Sequence, residues 1–552
     1  MMEALTTFIA GRKAKKTMLH RVATDEVLPV FFFDDTPMLR NAIMCWTMRF
    51  NDVLDAEKLH RSLARLVLRD DGWRKLRGRI RLNVIIYSSD RPSDRPSILA
   101  DMVAGQENDK LEIHVPLSTD EERPAVNFSK VSFEMSLDEH PVASRLPRPS
   151  ETPSLQANHG DFKVFGISPE APHTLDDFLN KDVPQLTLHV VSFTDTTLVS
   201  LTWPHIACDG VGLRDIVYAW SLVLAGQDDK VPPMLAASTE DPMTAASMDP
   251  RFQEKHVLES QHMTGMRMLF WGLRYVLDII WWPKMETRTV YLPRKAVKQM
   301  RADAMASLQA AADQEGKPSG APSPFISDGD VVAAWLSCMA AQELSPSSTR
   351  TVVVMTPIDA RSRMPSVFPV SPEEGAYIMN ASPILSAILN AQDMVSAEDG
   401  VGKTAMAIRN TLKTQTSEGQ ILALNRLERL SIAENGLPAF FGDTSSFIII
   451  VTNLTKAEFF EKLDFRPAVI REGRAGRSGQ PEQHWVDSSG EPAAPGKMVY
   501  YHVQGLAGEN VFDRNTFFLF GTRAGDYWIN GSLPPKIWSK IEESFADMGP
   551  RL

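Results

Sequence analysis

The sequence predicts an α+β protein of two domains, and three observations carry that expectation. The chain has 552 residues, more than one compact core absorbs at about 150 residues per domain. Strand-like and helix-like runs follow one another in both halves without the regular alternation of a parallel α/β sheet. Between the halves, a stretch rich in Asp, Pro, Met and Ser leads into an apolar run. The expected division is an N-terminal domain over 1–230, a crossover over 231–284 and a C-terminal domain over 285–552.

In the first half PVFFFDD and AIMCWTMRF read as strands. DAEKLHRSLARLVLR sets Leu59, Leu63, Leu66 and Val67 on one helical face. RIRLNVIIYSS, LEIHVPL and VNFSKVSFEM return to strand, and the Pro, Ser and charge of SLDEHPVASRLPRPSETPSLQANHG predict an exposed loop. QLTLHVVSF and TTLVSLTW, parted by Thr194 and Asp195, read as a hairpin of buried strands. GVGLRDIVYAWSLVLAG has helical spacing at Leu213, Ile216, Val217, Trp220 and Leu224 and stops at Gly226. After the connection comes an apolar helix over 257–282. Its run MLFWGLRYVLDIIWWP contains Arg274 and Asp278 and is shorter than the roughly 20 apolar residues a membrane span needs. Core packing is its default reading, with tunnel lining and contact with a membrane surface as the alternatives.

The second half opens with the strand TRTVYLP and the charged helix RKAVKQMRADAMASLQAAADQEG. In FISDGDVVAAWLSCMAAQEL, Ser327 caps a helix that lines up Val331, Ala334, Trp335 and Cys338. TVVVMTPIDARSRM is a buried strand leaving into a polar turn. A helix near 403–434, the strands SSFIIIVTNL, MVYYHVQG, NTFFLFGT and DYWINGSL, and the closing helix PPKIWSKIEESFADM follow. REGRAGRSGQPEQHWVDSSGEPAAPGK is a loop by composition.

Composition narrows the function. Hydrophobic residues at 43% and charged residues at 23% are ordinary for a soluble globular protein. A net charge of −11, with 58 basic residues in no aromatic-interleaved stripe, argues against nucleic acid as a partner. Cys45, Cys208 and Cys338 form neither a disulfide framework nor a zinc pattern, which suits a reducing compartment and no metal. In MMEALTTFIAGRKAKK the basic residues follow the apolar stretch, the reverse of a secretory signal, so a cytoplasmic protein is expected.

The stretch WPHIACDG draws attention because His205 stands where a strand breaks into a helix, with Asp209 and Gly210 just beyond. An imidazole there, with an ordinary pKa near 6.5, suits proton abstraction. Asp209 can hold the turn by pairing with a cation, and Gly210 permits a backbone geometry or a close approach. Equally, His205 can cap the turn or pack beside Trp203. Cys208 reads more simply as a small apolar filler than as a nucleophile. His484 and His502 show no metal spacing. AEDGVGKT has Ala397 where a phosphate-binding loop needs its first glycine and no buried strand before it, so it reads as a helix start.

HIACDG, after two strands and before a helix, resembles the HxxxDG motif of the BAHD-type acyltransferases, coenzyme A-dependent enzymes related in fold to chloramphenicol acetyltransferase and to peptide-synthetase condensation domains. Other segments match the family in order from about 25 to 545: the early helix with the Gly78–Arg79 turn, FISDGDVVAAWLSC, IDARSRMPSVFPVSPEEGAYIMNASP, and GDYWINGSLPPKIWSKIEESF. The resemblance implies two chloramphenicol-acetyltransferase-like domains with a central channel. It implies that His205 deprotonates an acceptor hydroxyl or amine, which attacks the thioester of an acyl-CoA without a covalent acyl-enzyme. Asp209 would turn away to pair with Arg361, and Asn380 matches the family's asparagine at the same crevice. No permanently bound cofactor is implied; acetyl-CoA or another acyl-CoA is the co-substrate.

Three departures qualify the match. The family's DFGWG motif, which shapes the coenzyme side of the channel, falls at LDFRPA: Asp464 and Phe465 remain, and Arg466 and Pro467 replace a glycine and a tryptophan. VTNLTK keeps Thr452 where many plant members have a threonine and a tryptophan near the oxyanion, with Leu454 in place of the tryptophan; Thr452 and Asn453 are the oxyanion candidates. Pro204 stands where condensation domains carry a first histidine. The pattern is similar to the fungal, trichothecene-type branch. The expected protein is a monomeric O-acetyltransferase acting on a terpenoid or polyketide alcohol. The alternatives are a non-catalytic member serving as a binding or scaffold protein, and an enzyme that takes its acyl group from a carrier protein.

Overall fold

The computed structural model describes residues 21–83, 110–168, 171–239, 241–314, 324–395, 399–472, 493–506, 513–522, 524–546 and 548. Two large sheets, each backed by helices, give the mixed α and β, two-domain architecture, with a three-stranded and a two-stranded sheet beside them. The first has five strands in the order Met498–Gly505, Ile43–Phe50, Thr197–Pro204, Thr187–Ser192, Asn127–Ser132. Neighbours are antiparallel except the last pair, which is parallel. Thr197–Pro204 is buried at every position, as a central strand must be when both of its faces are covered. Helices Ala56–Val67 and Gly210–Leu224 send Leu59, Leu63, Leu213, Val217 and Trp220 into one core with Trp46, Phe50 and Leu201. Trp220 Nε1 donates to Ser62 Oγ at 2.8 Å, tying the two helices together.

The second sheet has seven strands in the order Ile384–Asn390, Thr351–Pro357, Phe447–Asn453, Thr516–Gly521, Tyr527–Leu533, Glu286–Leu292, Ser154–Gln156. Phe447–Asn453 is parallel to both of its neighbours. Helix Asp328–Ala341 starts in a capping box in which Ser327 and Asp330 bond each other's backbone, and it packs Val331, Leu336 and Ala340 against Val352, Ile449 and Val451. Helix Gly400–Gln415 crosses helix Arg294–Gln314 closely at Gly402, where a Cβ would come within 3.1 Å of the Ala304 carbonyl oxygen, so the described part of AEDGVGKT, from Asp399 on, caps and opens a packed helix.

Two strands lie across the sequence division expected at 231–284. Ser154–Gln156 adds an edge to the second sheet by pairing with Glu286–Leu292, and Met498–Gly505 adds an edge to the first by pairing with Ile43–Phe50. An aromatic seam joins the sheets: the Trp528 ring lies 4.6 Å from Tyr291 and 5.0 Å from Tyr500, and Tyr501 lies 4.7 Å from Phe520.

Several expectations need correction. PVFFFDD is a turn; the strand is Glu26–Pro29, paired with Leu111–Val115, and Phe31 carbonyl bonds to Asp34 N and Asp35 N bend the chain after it. The loop over 136–160 contains Ser154–Gln156, whose short length hides its pairing. Ile384–Asn390 is a strand that the preceding turn-rich sequence masked. The helix near 403–434 is two helices, Gly400–Gln415 and Glu418–Asn435, the second capped by Ser417. The apolar helix begins only at Gly265 and runs to Trp281, and only Trp271 of it is buried, so the default reading of core packing fails. Among the described residues, no helix is long and apolar enough to cross a membrane. Residues 84–89 of the expected strand RIRLNVIIYSS, residues 1–16 and most of the 471–497 loop, with His484, lie outside the described residues.

Candidate active site

The central strand Thr197–Pro204 delivers the histidine. Pro204 pairs with Ile43, and His205 N donates to Ala42 O at 2.8 Å, carrying the ladder one residue further. The chain then turns through Ile206 and Ala207 and enters helix Gly210–Leu224 with Asp209 as its N-cap, accepting from Gly212 N at 2.8 Å. Strand end and cap together fix the imidazole at the break between sheet and helix.

Asp209 is buried and fully bonded. Arg361 grips it with two nitrogens, each 3.1 Å from a carboxylate oxygen, and Ala381 N at 2.9 Å and Ser382 Oγ at 2.7 Å complete its shell. Burial works to raise its pKa, yet Arg361 and the Gly212 and Ala381 amides hold the carboxyl below its ordinary value. Arg361 in turn donates to Tyr377 O at 2.8 Å, to Asp359 at 2.9 Å and to Met379 O. The expected Asp209–Arg361 pair therefore forms and stitches the two halves of the chain.

Asn380 reaches the histidine turn from the other half of the chain. Its Nδ2 donates to His205 O at 2.9 Å and to Asp34 Oδ1 at 2.8 Å, and its backbone N donates to the same Asp34 oxygen at 2.7 Å. The histidine's carbonyl is thereby clamped from the other half of the chain. The His205 Nδ1 is enclosed, and burial lowers the imidazole's pKa against the opposing pull of its own carbonyl, Asp209 and Asn380. A neutral ring near neutral pH is the consequence.

Next to the histidine turn is a small crevice of about 20 Å³ lined by Phe31, Asp34, Lys75, Ile206, Ala207 and Met379, among others. Sequence reasoning missed Asp34 and Lys75. Burial pushes Asp34 up to about 7, against Lys75 and the Asn380 bonds, and burial brings Lys75 down to about 8, against Asp34 and Asp241. The doubled aspartate in FFFDD was the available signal, obscured by reading that run as a strand.

The remaining candidates scatter. A Cβ on Gly210 would meet only the end of the Leu454 side chain, at 2.8 Å, whereas one on Gly212 would stand 2.3 Å from the Ile378 carbonyl oxygen. The glycine that a close backbone approach requires is thus Gly212. Thr452 lies on the face of its strand opposite the buried Val451, while Asn453 Oδ1 is taken by Thr455 N at 3.0 Å and Thr455 Oγ1 at 2.7 Å. Occupation of Oδ1 leaves Asn453 Nδ2 as its donor, beside the Thr452 hydroxyl one residue earlier. Asp464 and Phe465 are not brought to the histidine. Asp464 N bonds Ser221 Oγ at 3.0 Å and Phe465 packs 4.5 Å from Trp220, roughly 16 Å along the helix from Gly210. Cys208 is fully buried with its thiol pKa raised by burial, so it fills space. His502 is buried among Phe162, Tyr500 and His159 rings. Gly78 abuts Ile113, and Arg79 is wholly buried, donating to Arg77 O and Pro124 O.

No model of a protein family matches the chain. It is 33% identical over 532 residues to O-acetyltransferase PaAT-2 of Phomopsis amygdali, covering 96% of this chain and 99% of that one. It is equally 33% identical over 532 residues, 95% of this chain and 96% of the relative, to a protein of Penicillium decumbens named transcriptional regulator calD. The fold matches F. graminearum TRI101, solved in complex with coenzyme A and T-2 mycotoxin, with a TM-score of 0.59 at 12% identity over 94% of this chain and 97% of that one. With its HxxxDG turn seated on a central strand and its sequence aligned end to end with PaAT-2, the chain belongs to the BAHD-type family of fungal acyltransferases.

Proposed function

We propose that the chain transfers an acetyl group from acetyl-CoA to a hydroxyl of a specialised metabolite, a terpenoid or polyketide, as a monomer in the cytoplasm. The observation that carries the reading is His205: a neutral, half-buried imidazole whose backbone is clamped by Asn380 and whose neighbour Asp209 is fully occupied elsewhere. With Nδ1 enclosed, Nε2 is the nitrogen that meets the acceptor. It takes the hydroxyl proton as the oxygen attacks the thioester carbonyl. The C–O bond forms, the tetrahedral oxyanion collapses, the C–S bond breaks, and the imidazolium returns its proton to the departing thiolate. Thr452 is the donor proposed for the oxyanion. The channel between the domains is the proposed route for both substrates, with Asp464 and Phe465 shaping its coenzyme side at a distance.

The test is transfer from labelled acetyl-CoA to a panel of hydroxylated sesquiterpenes and polyketides. His205→Ala is expected to lower kcat by about 10²–10⁴-fold. Because burial lowers the imidazole's pKa, the base form persists into mild acid, so the acid limb of kcat/KM lies below the ordinary histidine value. Equal transfer by wild type and variant overturns the mechanism, and wild type that fails to bind acetyl-CoA overturns the donor.

A second reading, a binding protein that has lost transfer, draws on the relative named as a transcriptional regulator and on Arg466 and Pro467 in LDFRPA. Turnover of any acceptor by wild type but not by His205→Ala decides against it.

A further inference from the structure

Helix Gly265–Trp281 is anchored on one side only. Trp271 donates from Nε1 to Ser446 O at 3.1 Å and stacks 5.0 Å from Phe440. Asp278, the helix's one carboxylate, turns inward to a two-point pair with Arg350 at 2.8 and 3.0 Å. Arg514 holds the Trp282 carbonyl at 2.6 Å. The opposite side carries Leu269, Phe270, Leu273, Leu277, Ile280 and Trp281, each more than half exposed, Trp281 at 78%. Their spacing of three and four residues makes one unbroken apolar ridge about 18 Å long.

The charges around the ridge say what covers it. Arg267 and Arg274 are exposed on the same helix and Lys284 just past its end, while Arg274, Asp278 and Arg350 together retain one positive charge. Against these cations stands Asp513, which faces Tyr275 of the helix, so the margin of the ridge stays net positive on a chain of net charge −11. Two adjacent indoles, Trp281 and Trp282, finish the helix, in the place where such rings sit at the level of lipid headgroups. A convex ridge enters between lipid chains without needing a matching groove.

We propose that the outer face of helix Gly265–Trp281 docks this protein on an anionic phospholipid surface, the helix lying in the plane of the interface. The inference stands independently of the acyl-transfer reading.

Flotation of the full chain with phosphatidylcholine vesicles, with and without phosphatidylserine, tests it. Wild type is expected to float, more strongly with phosphatidylserine and less in high salt. The variant Leu269→Gln/Leu273→Gln/Leu277→Gln, matched to wild type in circular dichroism and Tm, is expected to bind at least about tenfold more weakly. Arg274→Gln/Lys284→Gln is expected to erase only the preference for phosphatidylserine. The proposal is overturned if wild type does not float, if the triple variant floats equally, or if sedimentation shows a wild-type dimer that the triple substitution dissolves, which assigns the ridge to a second copy.

Discussion

Asp209 and His205 lie four residues apart in opposite electrical surroundings. The carboxylate accepts five hydrogen bonds, two of them from Arg361, and the imidazole sits with no ion pair of its own. The aspartate's work is thus geometric. Removing it in Asp209→Ala strips Arg361, only 9% exposed, of one counter-charge and the helix of its cap. The expected loss is about 3–5 kcal/mol in urea unfolding, because a buried charge is left half-paired. A loss under about 1 kcal/mol would show that Asp359 alone satisfies the guanidinium. At this scale the motif residues were legible because histidine, aspartate and glycine stand in a short fixed pattern. Asp34 was not: its importance comes from Asn380, 346 positions away, and no local spacing announces such a partner.

At the scale of elements, helices and central strands were read well wherever one periodicity dominated, as in Ala56–Val67, whose buried residues include Leu59, Leu63, Leu66 and Val67. Reading failed where length was too short for a period, as in Ser154–Gln156, or where an apolar run faced outward, as in Gly265–Trp281. Hydrophobic spacing reports a face and not what lies against it. The start of helix Gly210–Leu224 tests the packing directly. Gly212→Ala would drive a methyl into the Ile378 carbonyl oxygen at 2.3 Å and Cys208 Cβ at 2.9 Å, with backbone on one side that cannot move aside. The expected cost is about 1–3 kcal/mol by thermal unfolding. Gly210→Ala meets only a mobile Leu454 end, so the helical preference of alanine, about 1 kcal/mol, offsets most of its crowding. Equal effects of the two substitutions would overturn the assignment of the close approach to Gly212.

For the whole molecule, the two-domain α and β class was legible from element order, but the exchange of edge strands was not, because pairing across hundreds of residues leaves no local trace. The buried ionisable groups that this tight assembly encloses set its response to pH. Burial pushes Asp34 and Glu428 to about 7 and Glu343 to about 8, so each is protonated in the folded chain where the unfolded chain would be ionised. Raised values of this kind stabilise fully below the unfolded carboxyl pKa, and that contribution falls away as pH rises from there and is gone above the folded values of about 7 to 8. Burial also brings His159 and His256 to about 4 and His502 to about 3, and lowers His60, His114, His189, His205 and His262. Their contribution is present above the unfolded histidine value and is lost as pH falls below about 6.5. Eight histidines outweigh these three acids and Asp215, whose carboxyl burial also raises, in mild acid; above the histidine range the acids prevail, so Tm is expected to peak near pH 7. Glu343, which has little to bond its enclosed carboxyl oxygens, opposes the histidines in mild acid and acts alone above them: Glu343→Gln is expected to flatten the fall between about pH 7 and 8 and to steepen the rise in mild acid. A wild-type Tm that still climbs from pH 7 to 8, or a variant with an unchanged alkaline limb, would mean that these carboxyls are ionised in the folded protein after all.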